Sequence, residues 1–178
     1  QYQGTAYMTK NPAVVSGSVY FTSGNGVVYA VDATTGDREW TFETNGSFWA
    51  SPTVVNGTLF VADDTRYDSS TESHAGGYLY AIDADTGTEQ WRYDIDDYDT
   101  RGTRYSAFGA VGSFPVHNGT VYLGDENGTV HAVDAESGSE DWAFHAYQDG
   151  DEYASFDHGP AIVNGSLYVQ QDDGQIIA

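Results

Sequence analysis

The chain has 178 residues, no cysteine, and 27 Asp+Glu against 6 Lys+Arg, for a formal net charge of −21. The lack of cysteine excludes a disulfide framework and thiolate metal sites, and a charge of this sign repels nucleic acid and anionic lipid. The sequence shows no long apolar run that would span a membrane, and no charged-then-apolar leader, so any export signal is absent or already removed.

The size suits one domain, and aromatic residues at 15% of the chain supply a core that a merely acidic, disordered chain would lack. Short Val-rich runs broken by Gly-rich turns predict an all-β fold. In chain order, Pro12–Val15 opens a strand, Ser16-Gly17 turns, and Ser18–Thr22 runs back. Gly24-Asn25-Gly26 turns again, Val27–Val31 forms a third strand, and Arg38–Glu43 a fourth. The pairs Asn56-Gly57, Asn118-Gly119 and Asn164-Gly165 suit two-residue hairpins, in which both central residues take positive φ.

This unit recurs. Val31-Asp32-Ala33-Thr34-Thr35-Gly36 leads to Trp40, Ile82-Asp83-Ala84-Asp85-Thr86-Gly87 to Trp91, and Val133-Asp134-Ala135-Glu136-Ser137-Gly138 to Trp142. The Trp spacings, 91 − 40 and 142 − 91, are both 51. A Pro-containing strand opener precedes each copy: Asn11-Pro12-Ala13-Val14-Val15, Ser51-Pro52-Thr53-Val54-Val55, Ser113-Phe114-Pro115-Val116 and Gly159-Pro160-Ala161-Ile162-Val163. One four-stranded meander every 40 to 60 residues is the pattern of a β-propeller blade.

Together these motifs resemble the PQQ-like repeat, the tryptophan-docking propeller of quinoprotein dehydrogenases and of BamB-type scaffold proteins. The resemblance covers nearly the whole chain. It implies a propeller arc of about four four-stranded antiparallel blades, near 11–44, 51–95, 113–145 and 159–178, the last lacking its outer strand. Residues 1–10 are expected to be the tail of a preceding outer strand and a linker. The family implies a parent ring of seven or eight blades. Closure of four blades on themselves, or pairing of two chains into one ring, stays open. The resemblance also implies that Trp40, Trp91 and Trp142 lie flat between blades. Asp32, Asp83 and Asp134 are read as turn caps, and Gly36, Gly87 and Gly138 as parts of the same turns.

Lysine is nearly absent, with Lys10 alone, and Asp outnumbers Glu. Short carboxylates hold water and cations, and salt screens their repulsion to within about 3 Å at 1 M. The composition is therefore read as halophilic, with an ordinary acidic secreted domain or one rich in calcium sites as the alternative.

Few residues point to catalysis. His74, His117, His131, His145 and His158 form no zinc-type pair, and no Ser-His-Asp or Gly-x-Ser-x-Gly arrangement is present. Asp94, Asp96, Asp97 and Asp99 offer oxygen ligands of the kind calcium needs, without EF-hand spacing. Asn45, Asn56, Asn118, Asn127 and Asn164 match glycosylation acceptors, yet hairpin turns alone account for most of them.

One asymmetry stands out. Turns one and three of each unit share one end of the blade and are short and uniform. Turn two and the linkers share the other end and carry the insertions Asp63–Gly77, Asp94–Gly112 and Ala146–Gly159. Loops on a rigid frame are where binding residues concentrate. These insertions hold Arg66, Tyr67, His74, Arg101, Arg104, Tyr105, Phe108, Tyr153, Phe156 and His158 as candidate partner contacts. Pairing of Arg101 and Arg104 with Asp94–Asp99 is the alternative for those two.

The sequence thus predicts a non-catalytic binding module of a halophilic archaeon that holds a protein or glycan on the long-loop face, with no nucleic acid partner and no cofactor. An extracellular or cell-surface location is expected, with a cytoplasmic one left open. The alternatives are a segment of a quinoprotein dehydrogenase and a sensor domain of a signalling protein. In the dehydrogenase, family resemblance implies pyrroloquinoline quinone on the ring axis over a tryptophan, with calcium and an Asp base. Trp49, outside the repeat, is the one candidate for stacking the quinone.

Overall fold

A computed structural model describes residues 10–64, 66–68, 73–75, 77–95, 112–125, 128–146, 156, 158–171 and 174–178. They form an all-β arc of successive antiparallel sheets. The first blade is β1 (Ala13–Val15), β2 (Ser18–Thr22), β3 (Val27–Asp32) and β4 (Arg38–Glu43), paired in that order. The second is β5 (Ser47–Phe48), β6 (Thr53–Val55), β7 (Thr58–Asp64), β10 (Gly77–Asp83) and β11 (Glu89–Ile95), with β8 (Arg66–Asp68) and β9 (Ser73–Ala75) as a separate ribbon between β7 and β10. The third is β12 (Val116–His117), β13 (Thr120–Gly124), β14 (Thr129–Asp134) and β15 (Glu140–His145). The fourth holds β16 (Ala161–Val163), β17 (Ser166–Gln170) and β18 (Ile176–Ile177).

Turn chemistry sets these boundaries. Ser16, Asn56, Asn118 and Asn164 take φ of 50 to 52°, each followed by a glycine at positive φ. A two-residue turn of this hand matches the twist of the strands it joins. The third strand of each complete blade then pairs with the fourth with the same slip one residue after Ala30, Ala81 and Ala132, just before the Asp-Ala turn.

The third strands of the two middle sheets are apolar on both sides, because a neighbouring sheet covers each face, whereas Phe21, Tyr29 and Val31 cluster among themselves on the other face of the first sheet. Val28 and Ala30 pack with Phe48, Leu59, Val61, Tyr80 and Ile82 between blades one and two. Leu79 and Ala81, from the opposite face of β10, pack with Phe114, Val121 and Val133 between blades two and three. A smaller cluster of Val130, Phe156 and Val169 joins blades three and four.

Two features depart from the repeat as read. The second sheet has five strands, because β7 runs to Asp64 and its extra length accepts Ser47 and Phe48 as a further edge pair. The insertion after Asp63 is itself partly regular, since β8 and β9 pair through Arg66–Ala75, Tyr67–His74 and Asp68–Ser73. At the linkers, Ala50 bridges Gly112 in parallel and the Ser51 N–H donates to the Gly112 carbonyl at 2.7 Å. Gly112 in turn abuts Gly159, so the segments leading into three successive blades touch.

Candidate functional site

At the uniform end, the polar side chains build the frame. Asp32 Oδ1 accepts the Thr34 and Thr35 N–H groups at 2.8 and 2.7 Å. Asp83 Oδ1 accepts the Thr86 N–H and hydroxyl, both at 2.8 Å. Asp134 Oδ1 accepts the Ser137 N–H and hydroxyl at 2.8 and 2.7 Å. These bonds favour the ionised form, so all three carboxyls sit below their ordinary value.

The following blade's turn receives a tryptophan. Trp40 Nε1–H donates to the Ala84 carbonyl at 3.0 Å and Trp91 Nε1–H to the Ala135 carbonyl at 3.2 Å. Gly87 and Gly138 lie under the two indoles. At either, a Cβ would sit 2.6 Å from the ring, and φ there is above +70° in both. Sterics and backbone conformation both demand glycine. Trp142, the third copy, rests against Tyr122 with ring centroids 6.0 Å apart and keeps 42% of its surface exposed.

At the opposite end, Trp49 is 42% exposed and His158 is exposed. Arg66, Tyr67 and His74 lie on the β8–β9 ribbon, whose backbone alone is described. Arg101, Arg104, Tyr105, Phe108, Tyr153, Asp96, Asp97 and Asp99 lie outside the described residues, and Asp94 is an exposed residue of β11. Phe156 differs from its sequence-based expectation. It is fully buried, its ring packs on the Gly124 backbone, and its N–H donates to the Asp125 carbonyl at 3.1 Å. It supports the loop face from beneath and does not line it, because an apolar ring falls into the seam between two sheets.

Between blades lies a second set of functional groups that the repeat motif did not reveal. Each blade buries a polar residue near the end of its second strand: Ser23 (beside the equally buried Thr22), Asp63, Asp125 and Gln171. Asp63 accepts the Tyr78 N–H at 2.8 Å and the Tyr80 hydroxyl at 3.1 Å. Burial, and then the Asp63 charge, push the Tyr80 phenol far above its ordinary value, so it stays a donor. Asp125 accepts the Thr129 N–H at 2.7 Å and faces His131 Nε2 at 3.3 Å. His131 Nδ1 lies 3.0 Å from the Tyr93 hydroxyl, which donates to Glu140. The sequence signal, visible only in hindsight, is a polar residue one or two places after the last apolar or glycine residue of each second strand: Ser23 after Phe21, Asp63 after Ala62, Asp125 after Gly124, Gln171 after Val169.

The Asp63 site opens into a groove of about 290 Å³ between the first two blades. Phe42 of β4 meets Tyr80 edge-on with centroids 5.4 Å apart, and Tyr78 meets Tyr80 at 5.8 Å. Glu43, Glu89 and Arg92 complete the rim.

A quinone held with calcium needs several oxygen donors that converge on the cation. Among the described residues, no three acidic or histidine side chains converge as cation ligands. Asp63, the cross-strand partner of Phe48 beside Trp49, already accepts the Tyr78 N–H and the Tyr80 hydroxyl, and Asp125 accepts the Thr129 N–H. The described residues therefore do not fit the group.

A family model described as "Outer membrane protein assembly factor BamB" matches residues 4–108 and 75–178. Quinohemoprotein alcohol dehydrogenase ADH-IIG of Pseudomonas putida is 30% identical over 177 residues, covering 92% of this chain and 23% of its own length. Serine/threonine-protein kinase AfsK of Streptomyces coelicolor is 30% identical over 161 residues, covering 90% of this chain and 16% of its own length. The chain thus spans under a quarter of these two relatives. The crystal structure of BamB from Moraxella catarrhalis superposes with a TM-score of 0.74 at 20% identity, over 98% of this chain and 47% of that one, a likeness of fold.

Proposed function

The chain belongs to the PQQ-like β-propeller family described as outer membrane protein assembly factor BamB, and on that premise we propose that it is a non-catalytic binding module. It holds a protein or a glycan on the end of the blades that carries the insertions. The observation that supports this reading is the contrast between the two ends. The Asp-Ala turns are uniform and internally hydrogen-bonded, with Asp32, Asp83 and Asp134 consumed as caps. The insertions differ at every blade and concentrate arginine and aromatic residues in an acidic chain that has only 6 Lys+Arg. We place the protein at the cell surface or in the envelope, in a high-salt setting that its charge of −21 suits.

The test is the double variant Arg101→Ala/Arg104→Ala, compared with wild type for binding to envelope proteins and surface polysaccharide of the source cells by surface plasmon resonance. Stability stays within about 1 kcal/mol, as for surface changes, while affinity falls at least about tenfold. If the variant unfolds and binding per folded molecule is unchanged, the arginines are internal ties for Asp94–Asp99 and this reading fails.

A second reading, a segment of a quinoprotein dehydrogenase, is favoured by the 30% identity to ADH-IIG. A stoichiometric quinone absorbance that survives gel filtration with calcium would establish it. The AfsK relative favours a sensor variant of the binding reading, in which the propeller is joined to a kinase.

A further inference from the structure

We propose that the groove between the first two blades is a receptor for a basic side chain, a guanidinium or ammonium group presented by an extended segment of a partner protein. Its residues belong to the strand frame, so the inference does not depend on the loops that carry Arg101 and Arg104.

Charge selects the guest. Among the described residues that line the space of about 290 Å³, Glu43, Asp63 and Glu89 outnumber the cation Arg92. The whole chain adds a field of the same sign, which draws basic segments in and keeps acidic ones out. The walls suit the same guest, because the faces of Phe and Tyr attract cations.

The chain itself shows what the wall accepts. The Arg92 guanidinium carbon lies 5.2 Å from the Tyr78 ring centroid, over its face. This internal guest is loosely held. Its Nε is 3.9 Å from Glu89 Oε1, and its side chain is 57% exposed. Exposed pairs of this kind contribute little, so an incoming cation can displace Arg92 or share the site with it. The wall behind is fixed in advance, since Asp63 holds both the Tyr78 backbone and the Tyr80 hydroxyl. A receptor already in its bound shape avoids an ordering cost.

The next interface explains why the groove exists at all. Phe42 pairs with Val28 as Tyr93 pairs with Leu79, so the two occupy one repeat position. Tyr80 and His131 likewise share a position, as do Arg92 and Ala143. At the second interface the Tyr93 hydroxyl crosses to His131 and Glu140 and closes the seam. Phe42 has no hydroxyl, so the same seam stays open at the first.

The experiment titrates the full chain, at fixed ionic strength, with acetyl-Gly-Arg-Gly-Arg-Gly-amide, its citrulline counterpart and the neutral sugar chitotriose, following the Tyr78 and Tyr80 ring protons by NMR. The arginine peptide saturates, and the citrulline peptide binds at least about tenfold more weakly. Glu43→Gln/Glu89→Gln weakens the arginine peptide about fivefold, and Arg92→Ala tightens it about threefold by removing the internal rival. Phe42→Tyr, melting near wild type, lowers affinity by closing the groove. Arg101→Ala/Arg104→Ala leaves this titration unchanged, which separates the groove from the loop face. The proposal is overturned if the arginine peptide shows no saturable binding, if citrulline binds equally, if Arg92→Ala weakens binding, or if chitotriose alone shifts the two rings. Should Phe42→Tyr fail to fold, the charge variants decide the matter.

Discussion

The first and second blade interfaces share one backbone plan and differ in their polar chemistry. Both carry a buried carboxylate at the end of a second strand, Asp63 in one and Asp125 in the other. Both are clamped by an indole on a glycine turn. Across the first, Phe42 and Tyr80 meet only as rings. Across the second, Tyr93, His131, Asp125 and Glu140 form a continuous polar chain from the buried carboxylate to the rim. The two seams differ at three paired positions, Phe42 against Tyr93, Tyr80 against His131 and Arg92 against Ala143, and the polar bridge forms only at the second. In a repeat protein the clamp must be conserved from copy to copy in kind, because it sets the spacing of the sheets. The groove above it is free to vary.

The largest expected effect breaks the clamp that both interfaces share. Trp91→Ala removes an indole packed on Gly138 together with its bond to Ala135, and costs about 3–5 kcal/mol, the range for deleting a packed aromatic. Trp142→Ala, at a position 42% exposed, costs less than about 1 kcal/mol. Urea unfolding of the two variants side by side measures the difference. Equal costs would show that docking on the next blade is not what makes the tryptophan matter.

Tyr93→Phe sharpens the comparison by turning the sealed seam into a copy of the open one. It leaves His131 Nδ1 without its hydroxyl partner in a buried site, which costs about 1–2 kcal/mol. The expected outcome is a lower melting temperature and a new shift of the His131 ring protons. A variant as stable as wild type would mean that the polar chain does not tie the blades.

The smallest effect per site lies in the Asp turns, which serve every blade alike. Asp32, Asp83 and Asp134 are held below the ordinary 3.8 in the folded chain. Their contribution is complete above that value and is lost as pH falls through their folded values. Urea midpoints should therefore decline below about pH 4. Asp32→Asn, Asp83→Asn and Asp134→Asn combined keep an acceptor for the turn N–H groups and remove the titration, so the acid limb flattens. An unchanged acid limb would assign it to other carboxylates.

Local chemistry made the frame legible in the linear chain. Asn-Gly pairs demand positive φ, Asp-Ala-x-Thr-Gly caps itself, and the strands between them are short and apolar. These constraints act within a few residues, so the four strand runs of the first unit, from Pro12 to Glu43, and the three Asp turns could be read directly. Burial could not be read in this way. Phe156 is an aromatic in an acidic insertion by sequence and a core residue in the fold, because what covers it comes from Gly124, Val130 and Val169. The groove was equally invisible. Phe42, Asp63, Tyr78 and Arg92 lie up to 50 residues apart (92 − 42) and come together only where two sheets face each other. The distinction between Phe42 and Tyr93 has no meaning along the chain. It acquires one when β4 and β11 each face the next blade, where the Tyr93 hydroxyl reaches His131 and Glu140 and Phe42 offers Tyr80 only a ring.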